Sequence, residues 1–411
     1  MENEKRNFIA FSWHAFWLAL AQTFADKNTV LPGLILLSGG SQFELGLLTS
    51  IMIGIPLVSQ LIFASYLTQK PKKKYFLLLG IYMRVFAFFG VAITLYSVES
   101  TDPRFIIYAV FGWMFIFSIS GAFAGVSYTD ILGKSISTNT RKYFFVVREF
   151  LNSVGILISA LIVRAILKEI EYPNNYIYMF SAASVLLFVG AGGFLFLKER
   201  QSEIAQIPQK LFETIKSIPA IVKSDSNLRN LIISVNLLSV SFTMIPFYMS
   251  LVKSQSVLSK EVIGNFLLYQ IIGMILSNFL WLKYTKLKGF KGMFKMAAIL
   301  YGTLPILALL FVQFVPMSYF GIIFFLIGGS FAAYRISSES ILIEISDESN
   351  RPLYTGIYGT LNLTIAIFPL IIGVLIATLG FSIVFVITSL LTFTAIIFLN
   401  KMICPIDTKN G

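Results

Sequence analysis

The sequence has one cysteine, Cys404, and one histidine, His14, among 411 residues. A lone cysteine excludes an intrachain disulfide and a cysteine-ligated metal centre. A lone histidine leaves nothing from which to build a histidine metal site or a catalytic triad. No Gly-Lys-Ser/Thr phosphate loop is present, so the run LSGGS at 37–41 is a chance likeness to a nucleotide-cassette signature. Charge is scarce as well. Asp, Glu, Lys and Arg make up 13% of the chain, against roughly 25% in a soluble protein. These shortages argue against an enzyme and against any cofactor.

What fills the chain instead is apolar: 56% of residues are hydrophobic and the mean hydropathy is +0.80. A polytopic membrane protein with little mass outside the bilayer is expected. The net charge of +12 would suggest nucleic acid in a soluble chain. Here it reports basic loops at the cytoplasmic membrane face, and no nucleic-acid partner is expected. The 40 phenylalanines are lipid-facing bulk and carry no information about an aromatic ligand.

The stretch 8–37, FIAFSWHAFWLALAQTFADKNTVLPGLILL, is too long for a signal-peptide core and lacks a small-residue cleavage site, so it reads as a retained first span. As one helix it would reach about 45 Å, more than the ~30 Å of a hydrocarbon core. Apolar runs with short polar punctuation predict twelve spans, near 8–37, 43–68, 75–98, 104–131, 142–168, 176–198, 227–253, 259–285, 292–313, 317–343, 352–378 and 381–403. Lys70, Lys72, Lys73 and Lys74 follow span 2, and Lys283, Lys286, Lys288 and Lys291 follow span 8. The opposite loops hold only Arg104, Lys168, Lys253 and Lys260. Basic residues favour the cytoplasmic side, which puts both termini inside.

The one long polar interval, 198–227, carries Ile204, Ile207, Leu211, Phe212, Ile215 and Ile218 at helical spacing, with Lys210 and Lys216 between them. Two readings stand: a basic amphipathic helix on the inner leaflet, or a helical tether with no lipid role. Either divides the chain into six-span halves. SGAFAGVSYTDILGKSISTNTRKYF (120–144) is echoed by GGSFAAYRISSESILIEISDESNRPLY (328–354), half a chain later. A parallel internal repeat follows, with spans 4–5 corresponding to spans 10–11.

On these features the chain resembles the major facilitator superfamily over nearly its whole length. The family's loop between spans 2 and 3 reads Gly-x-x-x-Asp-Arg/Lys-x-Gly-Arg-Arg/Lys. Here YLTQKPKKK (66–74) keeps the basic end without the acid or the glycines, so the gating role of that acid does not carry over. KYTKLKGFKG (283–292) keeps Gly289 and its lysines and also lacks the acid. FADKNTVLP (24–32) followed by GSQFELGLL (40–48) looks like the opening of many members. The resemblance implies an all-α integral membrane fold of two parallel-repeat six-helix bundles: a bundle over 1–198, a cytoplasmic amphipathic loop over 199–226, and a bundle over 227–411. It also implies that spans 1, 4, 7 and 10 line a central cavity.

The polar residues of those spans are the candidate site. Span 1 offers Asp26 and Lys27, span 4 Tyr128 and Asp130, span 7 Asn236, and span 10 Arg335 and Glu339. A charge at membrane depth marks a substrate or ion path by default. Asp26 reads either as a proton-exchanging group in the cavity or as an interfacial residue locked to Lys27 or water. Arg335 and Glu339 stand at i,i+4 and share a helix face. They read as a substrate and proton site, Asp26, Asn236, Arg335 and Glu339 forming the path, or as a scaffold pair. Asp130, Arg141, Arg148 and Glu149 bracket one cytoplasmic turn, as a gate of ion pairs or as solvated loop charges. Asn152 lies nearby in span 5. Arg84 and Arg164 read as scaffold or snorkelling charges, and His14 receives no role.

The expected function is a secondary active transporter of a small solute in the inner or cytoplasmic membrane. It would be a monomer working by alternating access, with proton coupling through Asp26 or Glu339. An uncoupled facilitator of the same fold is the first rival. A membrane scaffold or sensor that moves nothing is the second.

Overall fold

The computed structural model describes residues 2–68, 70–97, 103–200, 211–255, 258–346, 351–362 and 364–403. Among them the regular structure is helical. In chain order the helices are α1 (Glu2–Thr23), α2 (Val30–Leu37), α3 (Gln42–Thr68), α4 (Lys74–Ser97), α5 (Pro103–Ser135), α6 (Thr138–Glu169), α7 (Asn174–Leu195), α8 (Leu211–Ser224), α9 (Ser226–Phe242), α10 (Ile245–Gln255), α11 (Lys260–Phe314), α12 (Gly321–Glu344), α13 (Arg351–Leu361) and α14 (Thr364–Asn400). Among the described residues, nine helical stretches are long and apolar enough to cross a bilayer. Their outward faces carry large apolar side chains, with Tyr75, Tyr96, Phe279 and Phe314 more than two-thirds exposed. Lipid accepts such surfaces, and regular helices satisfy the backbone there without water.

The run 8–37 is not one continuous helix. It divides into α1 and α2 around a non-helical stretch containing Asp26, Asn28 and Thr29. These short polar side chains compete with helical hydrogen bonding and favour a turn. The run 227–253 divides in the same way, into α9 and α10 around Thr243 and Met244. Two other pairs of runs are joined rather than separated. In α11 the only non-helical residue is Gly289, with φ 66°, and in α14 it is Gly380, with φ 79°. A left-handed backbone is strained for any residue with a Cβ, which is why glycine occupies both joints.

The chain folds into two compact units. The first comprises Met1–Gly40, Ile51–Pro208 and Ser259–Leu268, and the second Ser41–Ser50, Gln209–Leu258 and Tyr269–Gly411. In the first unit α4 packs on α5 and α7, and α1 packs on α6 and α7. The Lys260 ammonium donates to the Ile170 carbonyl at 3.0 Å and pairs with Glu171. In the second unit α9 packs on α14. Gly328 of α12 lies so near α11 that a Cβ would come 1.9 Å from the Gln270 carbonyl oxygen, so only glycine permits this crossing. Ser41 and Glu44 cap α3 reciprocally, the Ser41 N–H and hydroxyl both donating to the Glu44 carboxylate.

The internal repeat reappears in how each unit closes. Buried Asn7 donates to the Lys198 carbonyl and accepts from the Lys198 N–H, both at 2.9 Å. Asn227 makes the same two bonds with Ile403, at 2.8 and 2.9 Å. Lys74 donates to the carbonyls of Leu195 and Leu197 at the end of α7, and Lys291 donates to the Met402 carbonyl beyond α14. A cation at a helix C-terminus meets orphan carbonyls and the negative end of the dipole. The central amphipathic reading falls partly outside the described residues, with Ile204, Ile207 and Lys210 among those excluded; α8 begins at Leu211.

Candidate functional site

In the first unit the break between α1 and α2 opens on a cavity of about 400 Å³. Gln22 lines it from the last turn of α1, Asp26 and Lys27 from the break, Arg84 from α4, and Phe117 and Ser118 from α5. The Asp26 carboxylate has two separate jobs. Its Oδ1 accepts from the Asn28 N–H at 2.9 Å, the Thr29 N–H at 2.8 Å and the Thr29 hydroxyl at 2.9 Å. That oxygen holds the start of α2, whose formal N-cap, Thr29, makes no side-chain cap of its own. The same side chain also lines the cavity. Asp26 and Lys27 are near enough to act on each other electrostatically.

Arg84, which reads in the sequence as a scaffold or snorkelling charge, is one of the cavity's lining residues. The scaffold or snorkelling reading requires its head group to reach water or a partner. The structure instead buries it to 9% exposure, with its guanidinium carbon 4.2 Å from the centre of the Phe117 ring. Among the described residues its Nε has no hydrogen-bond partner. The available signal was a charge in the middle of an apolar span, which is functional by default. Gln22 and Ser118 were missed too, and neither stands out from ordinary helix polarity in the sequence.

The second unit has its own polar cluster. Asn236 of α9 donates from Nδ2 to the carbonyls of Ile232 and Leu361 and to Asn362 Oδ1, at 2.8, 3.1 and 3.0 Å. Its Oδ1 is buried without a partner. Tyr358 of α13 stands beside Ser338, Tyr334 and Asn362, and Glu339 lies near enough to act on both tyrosines. Asn236 and Glu339 therefore border one polar region, with Asn362 and Tyr358 between them. Among the described residues no ion pair joins Arg335 to Glu339, although they share α12 at i,i+4; both are exposed there, and Arg335 has interactions of its own.

Of the four gate candidates, Asp130 and Arg148 have partners that can be named. Asp130 pairs with Lys73 at 2.8 Å and with Lys134. Arg148 stands by the Tyr128 hydroxyl and over the Phe145 ring. Glu149 is exposed on α6, and the side chain of Arg141 lies outside the described residues. The turn at Lys73 is also held by Glu199, whose carboxylate accepts from the backbone N–H groups of Lys73 and Lys74 at 2.7 and 2.8 Å. Glu4 is held by the Ser137 and Thr140 hydroxyls and the Ser137 N–H, which pull it down to a pKa of about 2. No group of three or more His, Cys, Asp or Glu residues is placed to hold a metal ion among the described residues.

No protein-family profile matches the sequence, and no curated protein matches it. Solved structures do match in fold. A POT family transporter in complex with a thioalcohol-conjugated peptide superposes with a TM-score of 0.73 at 11% identity, over 96% of this chain and 95% of that one. A point mutant of the nucleoside transporter NupG gives 0.70 at 12% identity, over 96% and 99%. A bacterial homologue of the iron transporter ferroportin, in its inward-facing state, gives 0.70 at 10% identity, over 97% and 98%. Near-complete coverage in both directions at such low identity leaves the architecture as the common property: the chain is a multi-pass membrane protein with the major facilitator fold.

Proposed function

We propose that this protein is a secondary active transporter that moves a small solute across the cytoplasmic membrane by alternating access, coupled to protons. The observation that carries the reading is the cavity of the first unit, where a helix break sets Asp26, Lys27 and Arg84 around about 400 Å³ of space. Charges are retained at membrane depth where they serve a path, and broken helices line such paths. Fold neighbours described as peptide, nucleoside and iron transporters agree with a small cargo. In this scheme Asp26 keeps Oδ1 in the break and exchanges a proton at Oδ2, while Glu339, beside Tyr334 and Tyr358, is the second exchanging group. We place the moving halves at 1–198 and 227–411, joined by 199–226, with both termini cytoplasmic. Asp130, Arg141, Arg148 and Glu149 remain the cytoplasmic gate, with Lys73 and Lys134 as the partners of Asp130.

One observation favours the uncoupled facilitator: three donors on Asp26 Oδ1 give that residue a structural reason to exist. Proteoliposomes separate the two. With a pH-sensitive dye inside, solutes are added singly under an imposed pH gradient, and counterflow is measured without one. Coupling requires solute-dependent proton flux that Asp26→Asn abolishes while counterflow survives. Counterflow with no proton flux for any transported solute would establish the facilitator instead.

A further inference from the structure

We infer that the cavity of the first unit binds a small organic monoanion, a carboxylate with an apolar body, whose negative end seats on the Arg84 guanidinium. This rests on the transporter reading and names its substrate class. The argument begins with what Arg84 lacks. It carries five N–H donors and a charge that no pH in a cell removes. Yet it is more than nine-tenths buried, and among the described residues its Nε has no acceptor. Nor, among them, does a carboxylate act on it, Asp26 bearing on Lys27 instead. An unpaired buried cation is among the most costly arrangements in a membrane protein. The face of Phe117, 4.2 Å away, offsets part of that cost by cation–π attraction but supplies no hydrogen-bond acceptor. A carboxylate does, and its two oxygens match the guanidinium fork.

The surroundings shape the rest of the ligand. Gly121 leaves room beside Nε, the nearest atom to the place its Cβ would take, at 3.6 Å. Phe88, Phe117, Met52 and Pro56 complete the wall, an apolar surface suited to an alkyl or aryl body. Gln22 and Ser118 stand at the same wall as neutral hydrogen-bonding groups. A single negative charge is what one unmatched cation calls for.

The test uses the full chain purified in detergent, with butyrate, benzoate and 4-phenylbutyrate as probes and the corresponding amides as neutral controls. Phenylglyoxal modifies accessible arginines, and peptide mass spectrometry reads Arg84 separately from the other arginines. The carboxylates, and not the amides, should slow modification of Arg84 and raise the melting temperature. Arg84→Gln should weaken the carboxylate-dependent shift at least about tenfold in apparent affinity, with Arg84→Lys in between. The labelling experiment needs no variant, so it stands if Arg84→Gln fails to fold. Equal protection by acids and amides, no protection by any acid, or an undiminished shift in a folded Arg84→Gln protein would overturn the inference. Arg84-dependent binding without solute flux in proteoliposomes would overturn the transporter reading alone. Flux of a neutral solute, indifferent to Arg84→Gln, would overturn the anion reading alone.

Discussion

Removing the charge of Asp26 and removing its side chain should have separable consequences, because the residue both starts a helix and lines the cavity. Oδ1 accepts three hydrogen bonds that start α2, and the side chain belongs to the cavity lining. Asp26→Asn keeps an acceptor oxygen in the same place. It exchanges charge-assisted bonds, worth about 1.5–3 kcal/mol, for neutral ones worth about 0.5–1.5 kcal/mol. Relief from holding a carboxylate in a low-dielectric site opposes that loss, leaving a net change of at most about 1 kcal/mol. Asp26→Ala strands two backbone N–H groups and a hydroxyl. Cavity water can reach some of them, so a loss of about 2–4 kcal/mol is expected. Thr29→Val removes only the hydroxyl donor and should cost about 1 kcal/mol. The four tryptophans of the chain provide an intrinsic fluorescence signal for thermal unfolding in detergent. The expected order of melting temperatures is wild type close to Asp26→Asn, then Thr29→Val, then Asp26→Ala. Solute-driven proton flux should fail equally in both Asp26 variants. A wild-type melting temperature for Asp26→Ala would refute the capping role. An Asp26→Asn protein that melts as low as Asp26→Ala would show that the fold, rather than the cavity, needs the charge.

Three further outcomes follow from the same geometry. Asn7→Ala and Asn227→Ala each delete a reciprocal pair of bonds to the chain beyond the last helix of their unit, so each should cost about 1–3 kcal/mol in thermal or denaturant unfolding. The buried Asn7 should be the more sensitive, and no effect at either site would remove them as closures. Arg335→Ala and Glu339→Gln should combine with a coupling below about 0.5 kcal/mol in a double-mutant cycle on solute binding, since no ion pair joins them; a coupling well above that would restore the pair. Single cysteines at Lys72 and Glu169, in a Cys404→Ser background, should react with an impermeant thiol reagent from opposite membrane faces, and reaction of both from one face would reverse the assigned topology.

The membrane class and the two-fold repeat were legible in the sequence because both rest on composition and on long-range echoes that survive local detail. The echo at 120–144 and 328–354 is matched by paired closures the sequence did not announce. Asn7, Asn227, Lys74 and Lys291 look like ordinary interfacial polar residues until their backbone partners are seen. The helix breaks were hidden for a different reason. Hydropathy sums over a window, so Asp26, Asn28 and Thr29 vanish into an apolar run although together they end a helix. The supposed Arg335–Glu339 pair shows the limit of spacing arguments: i,i+4 puts two side chains on one face, and other neighbours then decide what each one meets. Glu339 meets Tyr334 and Tyr358. For Arg84 the sequence shows a charge inside an apolar span but not that its guanidinium lies over Phe117 at a cavity wall.

The most direct measurement of the central claim uses Gln22, an exposed residue on the cavity wall. A Gln22→Cys, Cys404→Ser protein in right-side-out and inside-out vesicles is treated with a membrane-impermeant methanethiosulfonate reagent, and the extent of modification is read by mass shift. If the cavity of the first unit is the solute path and opens alternately to each side, the cysteine is modified in both vesicle orientations, and modification stops transport. Reaction from one side only, or full transport by the modified protein, would contradict it.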